Sequence, residues 1–295
     1  MKNLKESARS LKTNGSLGSL IRQALKEDRA ASDITTRALI PAQQRSTAEL
    51  AAKQTACVCG LRIVQKIFQR LNPRVKLTFF CRDGERVQKG KVIARLKGRT
   101  QAILKGERVA LNFLSRLSGI ATLTFAFTSL VKHYPVVVLD TGKTTPGLRA
   151  LEKWAVRCGG GQNHRFDLQS MALIKDNHIA AAKKAALPDL VKQVKNKTRK
   201  PLEVEVTNLK QLREVLFSHP DIILLDNMSL QQMRLAVHLN RAFYSQTKKK
   251  ILLEASGKVT LKNVRSIART GVDRISVGAL THSAPSIDFS LEIVK

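Results

Sequence analysis

Two short stretches hold the residue types that handle anions. Residues 140–149 read DTGKTTPGLR, and residues 159–165 read GGGQNHR. The fragment GKTT is the ending that a nucleotide-binding P-loop would have. That motif needs a further glycine five residues before Gly142, in a loop between a strand and a helix. Position 137 is Val137, inside the apolar run PVVVL, and Pro146 with Gly147 disfavours immediate entry into a helix. A P-loop is excluded. What remains is a strand ending in Asp140, followed by a small polar loop that carries Lys143. In the second stretch, Gly159, Gly160 and Gly161 let the backbone approach a ligand closely. His164 and Arg165 follow at once, and a guanidinium matches a carboxylate with two parallel hydrogen bonds. The run LIKDNH at 173–178 adds Lys175, a point charge suited to phosphate.

These groups need elements to hold them. From residue 135 onward, short apolar runs alternate with helical stretches. The pattern predicts strands at 136–139, 172–174, 202–206, 222–225, 251–253 and 275–277. Their C-terminal ends carry Asp140, Lys175, Glu205, Asp226, Ser256-Gly257 and Gly278-Ala279. The intervals suit βα units, and strands alternating with helices give a parallel sheet. If that sheet curls, its polar strand ends converge at the C-terminal face. The stretch holds about 160 residues against about 250 for an eightfold barrel. An incomplete, open α/β barrel of six or seven strands is expected. A doubly wound open sheet is the alternative, and its crevice would gather fewer strand ends.

Upstream, residues 46–100 read as β-rich, with strands at 75–79 and 92–96 and a turn at Asp83-Gly84. Residues 106–132 read as one or two buried helices. Leu20, Ile21, Ala24 and Leu25 recur at helical spacing, with Ser19 as the N-cap. Residues 1–18 read as a basic flexible tail.

The chain has 295 residues, 52 of them Lys or Arg against 22 Asp or Glu, for a net charge of +30. Such a field attracts anions. It fits either nucleic-acid binding or an enzyme for phosphorylated, carboxylated substrates. The clusters at 195–200 and 248–250 read as solvated loops or helix ends with weak, salt-sensitive affinity for polyanions. Aromatic residues make up 4%, which argues against a stacking platform for single strands. Cys57, Cys59, Cys81 and Cys158 form no CxxC pair, so zinc is not expected and buried free thiols are. The N-terminal MKNLKESARSLKTNGS lacks the apolar core of a signal peptide, and no apolar run is of transmembrane length. A soluble cytoplasmic protein is expected, with neither a membrane nor a specific nucleic acid as partner.

The longer motifs are GERVALNFLSRLSGIAT (106–122), DTGKTTPGLR, GGGQNHRFDLQSMALIKDNHI, LEVEV (202–206), LLDNMS (224–229), LLEASG (252–257) and ISVGALTHSAPSIDFSLEI (275–293). In this order, over roughly residues 20 to 293, they resemble the nicotinate-nucleotide pyrophosphorylase (carboxylating) family, also called quinolinate phosphoribosyltransferase. The resemblance implies a type II phosphoribosyltransferase fold. It would have an N-terminal α/β sandwich at 19–116, rejoined by 282–295, and the open barrel with the active site at 117–281. It implies synthesis of nicotinate mononucleotide, pyrophosphate and CO2 from quinolinate and phosphoribosyl pyrophosphate, with Mg2+, in de novo NAD biosynthesis. A homodimer is implied, or a hexamer built from it, with Arg108 reaching across the interface. His164 and Arg165 match carboxylate-binding positions, and Lys143 and Lys175 match positions contacting either substrate. Glu205 and Asp226 match carboxylates near the ribose hydroxyls and the metal. Ser256, Gly257, Gly278 and Ala279 would meet the 5′-phosphate. Thr141, Gly142, Lys258, Leu280 and His282 complete the expected substrate-binding set.

Two positions depart from the family. Its loop reads DTRKTTPG, with arginine at the place of Gly142, and the place of Lys258 is more often glycine or asparagine. Loss of one buried charge-assisted contact costs roughly 1.5–3 kcal/mol, or about ten- to a hundredfold in affinity. Weakened quinolinate binding is the leading expectation. A changed acceptor such as nicotinate, or a polyanion-binding protein on a disabled scaffold, are the alternatives.

Overall fold

The computed structural model describes residues 14–182 and 185–294. These divide into two compact units, one holding 14–125, 145–160 and 283–294, the other 126–144 and 161–282. In chain order come α1 (Asn14–Glu27), α2 (Ile34–Leu39), β1 (Arg45–Ala52), β2 (Ala56–Cys57), α3 (Leu61–Leu71), β3 (Lys76–Phe79), β4 (Arg86–Val87), β5 (Val92–Arg99) and α4 (Thr100–Val131). Next are β6 (Val137–Leu139), α5 (Arg149–Cys158), β7 (Ala172–Ile174), α6 (Asp176–Ala181), α7 (Leu187–Lys197), β8 (Leu202–Val206) and α8 (Leu209–Leu216). Last come β9 (Ile222–Asp226), α9 (Leu230–Thr247), β10 (Leu252–Ser256), α10 (Val264–Ala268), β11 (Arg274–Ser276), α11 (Ala279–His282) and β12 (Phe289–Val294).

In the first unit β12, β1, β5 and β3 form an antiparallel sheet in that order. Ala48, Leu50 and Ala52 alternate along β1 and are buried, the period-two signature of a half-buried strand. Leu114, Leu117, Ile120 and Ala121 bury one stripe of α4. Among the described residues α4 alone is long and apolar enough to cross a membrane by length and composition, and half of its most apolar stretch is packed inside the molecule. The sequence expectation of no such run is corrected here.

The second unit is built on six parallel strands in the order β6-β11-β10-β9-β8-β7. Counted along the chain this is 1-6-5-4-3-2, the cyclic order of a barrel whose closing pair, β6 with β7, is not made. The open α/β barrel is thus the architecture. Local signals set its helices. Asn208 caps α8 by accepting the Gln211 N–H, and Ser229 and Gln232 form a reciprocal capping box on α9.

Several boundaries differ from the sequence reading. Residues 1–13 of the expected tail lie outside the described residues. Residues 14–18 belong to α1, so the expected cap Ser19 falls inside a helix. The stretch read as one or two helices is one, α4, and it begins at Thr100. β10 runs on to Ser256, and β11 starts at Arg274. Residues 145–160, expected with the barrel, belong with the first unit. The reason is a buried charge: Glu152 on α5 is fully buried, and its carboxylate meets the Arg116 guanidinium of α4 at 2.8 Å. The same carboxylate accepts the Thr145 N–H at 3.0 Å.

Candidate active site

A cavity of about 760 Å³ opens in the barrel unit, and residues at the C-terminal ends of its strands line it. The loop after β6 supplies Thr141, Gly142 and Lys143, and the glycine-rich loop supplies His164 and Arg165. Lys175 follows β7, Glu205 sits on β8 and Asp226 ends β9. Ser256, Gly257 and Lys258 come from the end of β10, and Gly278, Ala279 and His282 follow β11. The expected set therefore converges, with two exceptions. Leu280 is fully buried and does not line the cavity. Arg108 belongs to the first unit, where its guanidinium pairs with Asp28 at 2.9 Å.

The positioning begins at Asp140, which is fully buried at the end of β6. Its carboxylate accepts the His164 N–H at 2.9 Å and an amide hydrogen of Asn163. That pair of bonds fixes the glycine-rich loop beside the first strand. The 141–144 loop is tied at the other side, where the Thr281 hydroxyl donates to the Lys143 carbonyl at 2.6 Å.

His164 is the most constrained group. Its Nε2 lies 2.9 Å from Glu203 Oε2 and 3.4 Å from Glu254 Oε1, and both glutamates are fully buried. β8 and β10 are separated by β9, so in a flat sheet they would lie about 10 Å apart. One imidazole bridges both carboxylates across that gap. Arg274 Nε stands 2.9 Å from Glu254 Oε2, so the buried group has two acids and two bases. Burial works against a charged imidazole, but the hydrogen bonds and charges of Glu203 and Glu254 prevail and raise its pKa to about 9. Nδ1 accepts the Arg165 N–H at 2.8 Å. Full protonation costs that one bond between adjacent residues, and two buried carboxylates outweigh it. Glu203 itself is raised, first by burial and then against the pull of His164.

Glu205 and Asp226 stand on adjacent strands. Burial, then the Asp226 charge, raises the Glu205 pKa, while Lys175 draws it down. A carboxylate pair of this kind, with one lysine beside it, suits a hard divalent cation that keeps waters and bridges to substrate oxygens. The residues present therefore fit Mg2+.

Backbone geometry shapes the phosphate end. Gly257 has φ +92°, and a Cβ there would lie 2.2 Å from Asn227 Oδ1, so only glycine fits. Lys258 follows at φ 50°, a left-handed conformation that lysine rarely adopts. Glycine or asparagine would take it with less strain. Gly142 differs: nothing lies within 4 Å of an ideal Cβ, and its φ is outside the left-handed region. Its backbone does not require glycine.

Sequence reasoning missed Asn227, Glu254 and Ser276, which also line the cavity, as do the apolar Leu173, Leu224 and Val259. A signal for Glu254 existed: a charged residue in the middle of an apolar strand run, as Glu203 is in LEVEV. A buried charge needs a partner.

Two family models match this chain, in order. The quinolinate phosphoribosyl transferase N-terminal domain matches residues 33–118, and the C-terminal domain of the same family matches residues 120–292. A probable nicotinate-nucleotide pyrophosphorylase [carboxylating] of Synechocystis is 40% identical over 277 residues, covering 93% of this chain and 92% of that protein. Quinolinate phosphoribosyltransferase [decarboxylating] 1b of Nicotiana tabacum is 39% identical over 289 residues, covering 94% and 82%. The solved nicotinate-nucleotide pyrophosphorylase of Francisella tularensis superposes with a TM-score of 0.89 at 37% identity, over 95% of this chain and 97% of that one. With both domains matched, and with relatives of this identity along nearly its whole length, the chain belongs to the quinolinate phosphoribosyltransferase family.

Proposed function

We propose that this chain transfers a phosphoribosyl group from phosphoribosyl pyrophosphate to the ring nitrogen of quinolinate. The products are nicotinate mononucleotide, pyrophosphate and CO2. The observation that carries the reading is one cavity holding His164, Arg165, Lys143 and Lys175 against the acidic pair Glu205 and Asp226. Quinolinate is a dianion; the Arg165 guanidinium binds a carboxylate, and the charged His164, its Nε2 held between Glu203 and Glu254, adds positive field behind it. Lys143 and Lys175 neutralise phosphate and pyrophosphate oxygens. The backbone around Gly257 and Gly278 turns N–H groups toward the 5′-phosphate, as late barrel loops do. Glu205 and Asp226 would hold Mg2+ through waters or substrate oxygens and face the ribose hydroxyls. Bound there, the ion supplies charge neutralisation for the departing pyrophosphate.

No protein nucleophile is required. The bond from the anomeric carbon to pyrophosphate breaks as the carbon becomes oxocarbenium-like, and the ring nitrogen attacks. Positioning and electrostatics supply the rate. The positive ring nitrogen then favours loss of the 2-carboxylate as CO2, and a proton takes its place on the ring. A homodimer in which Arg108 serves the partner's cavity belongs to the same reading, as does a cytoplasmic location.

Release of CO2 from carboxyl-labelled quinolinate tests the proposal. Label release that needs the enzyme, phosphoribosyl pyrophosphate and Mg2+ together supports it. A folded sample that binds phosphoribosyl pyrophosphate yet releases none at saturating quinolinate sinks it. Gly142 favours a second reading, a changed acceptor. Parallel assays with nicotinate, which has one carboxylate fewer, separate the two.

A further inference from the structure

The cavity uses one end of the strands. The other end of β8, β9 and β10 has a character of its own. In this parallel sheet Glu203 and Leu252 both lie opposite Ile222, so the three strands start level. Their entering loops share one edge, remote from the cavity. Topology brings two separate basic runs to that edge. Lys197, Arg199 and Lys200 lead from α7 into β8, and Lys248, Lys249 and Lys250 lead from α9 into β10. All six are exposed. None forms an ion pair among the described residues.

Lys200 and Lys250 stand two residues before β8 and β10 begin, and those strands lie two strand spacings apart, at most about 10 Å. That is about one Debye length at 0.1 M salt, so the fields of the two runs add. The loop between them, entering β9, carries Phe217 and His219. Phe217 is 70% exposed, and its ring is braced edge-on against Phe243 at 5.5 Å. Lys195 pins this loop by donating to the carbonyls of Ser218, at 3.2 Å, and His219. Burial, then the charges of Lys249 and Lys195, holds the His219 imidazole below its ordinary pKa, so cations from both sides are felt at the middle loop.

The plain alternative is that lysines collect at helix C-termini because the dipole favours them there. Lys195 does this. The effect fades within the last turn, and Lys200 and Lys250 lie beyond the helices. Nor do nearby acids cancel the patch. Asp221 accepts the Leu202 N–H at 2.7 Å and Asp273 accepts the Leu253 N–H at 2.8 Å; both keep their charge, and the six cations outnumber them.

We propose that this edge is a second binding surface, for single-stranded nucleic acid, with backbone phosphates on the two basic runs and a base stacked on Phe217 between them. Aromatic residues are scarce in this chain, but one exposed, braced ring stands where the cations converge. A phosphate track with a stacking ring is how single strands are held without sequence preference. A duplex offers the phosphates without a free base face. The surface is independent of the transferase reading, and neither stands or falls with the other.

The test is fluorescence anisotropy of a labelled mixed-sequence oligonucleotide of about 20 nucleotides, enough to cover one such site, with the full-length protein. Salt is varied between about 50 and 200 mM, where counterion release is read. Six phosphate contacts predict a log–log slope of roughly −4. Reversing Lys248, Lys249 and Lys250 to Glu should weaken binding more than tenfold and flatten that slope. Phe217→Ser should weaken binding about tenfold and leave the slope, since stacking carries no counterions. CO2 release by both variants should match the parent, which also reports folding. Equal weakening by the same charge reversal in the first unit, Arg62→Glu/Arg70→Glu/Arg74→Glu, would reduce the effect to net charge and overturn the proposal. So would a duplex bound as tightly as the strand with Phe217→Ser silent, or anionic vesicles that displace the strand through the same lysines.

Discussion

Gly142 faces open space, and nothing in its backbone demands glycine. The Cβ of an arginine therefore fits there without a clash. Gly142→Arg is expected to raise kcat/KM for quinolinate about ten- to a hundredfold, through KM, as one charge-assisted contact is gained. Unchanged or lowered kcat/KM in steady-state assays would show that the glycine is no simple loss. His164 gives a pH prediction. Its pKa rises from 6.5 to about 9 on folding. The stabilising share of its ion pairs is thus full below 6.5 and lost as pH rises through 9. Quinolinate KM should climb over the same upper limb while kcat holds. Glu203→Gln should move that limb down by about one to two pH units, since one of the two carboxylates is removed. A KM profile that ignores the substitution would dissociate the glutamate from substrate binding. At Lys258, φ is 50°, and replacing the side chain by glycine should stabilise the fold by about 1 kcal/mol as strain is relieved. Thermal melts of Lys258→Gly check the sign.

Elements explain why these residues can be tested separately. The loop after β10 packs so closely on the loop after β9 that Gly257→Ala must push Asn227 aside, from 2.2 Å. Affinity for phosphoribosyl pyrophosphate should fall about ten- to a hundredfold, the loss of one charge-assisted hydrogen bond to phosphate. Titration calorimetry with that substrate alone would show it, and near-parental affinity would mean the loop is not its phosphate cradle. Strand ends were legible in the sequence because β9 is an unbroken apolar run closed by Asp226, and β8 alternates Leu and Val with Glu203 and Glu205. The barrel followed from their spacing. The buried quartet of Glu203, His164, Glu254 and Arg274 was not legible as a unit, because its members come from three different strands and a loop. Nor was the assignment of 145–160, since the Arg116–Glu152 pair joins residues 36 apart that no local pattern links. Arg108 could be named only by resemblance, because within one chain its partner is Asp28.

For the whole molecule the open question is assembly. The Arg108–Asp28 pair has its guanidinium 77% exposed, so Arg108→Ala should change stability by less than about 1 kcal/mol. If the arginine completes a partner's cavity, the variant should still be nearly inactive. Mixing it with the equally inactive Lys143→Ala should restore about a quarter of parental activity, since roughly half of randomly formed dimers are hybrids and one of the two cavities in each hybrid takes intact residues from both chains. No recovery after subunit exchange would place Arg108 outside the site. The missing β6–β7 pair has a consequence of another kind. An unclosed sheet leaves two rims that could recruit a strand from another molecule, the route to aggregation and fibrils. Here both rims are three-residue strands, and the outer side of β6 is met by Gln162 of the glycine-rich loop. Short, partly covered rims make poor templates. The barrel stays open without becoming adhesive.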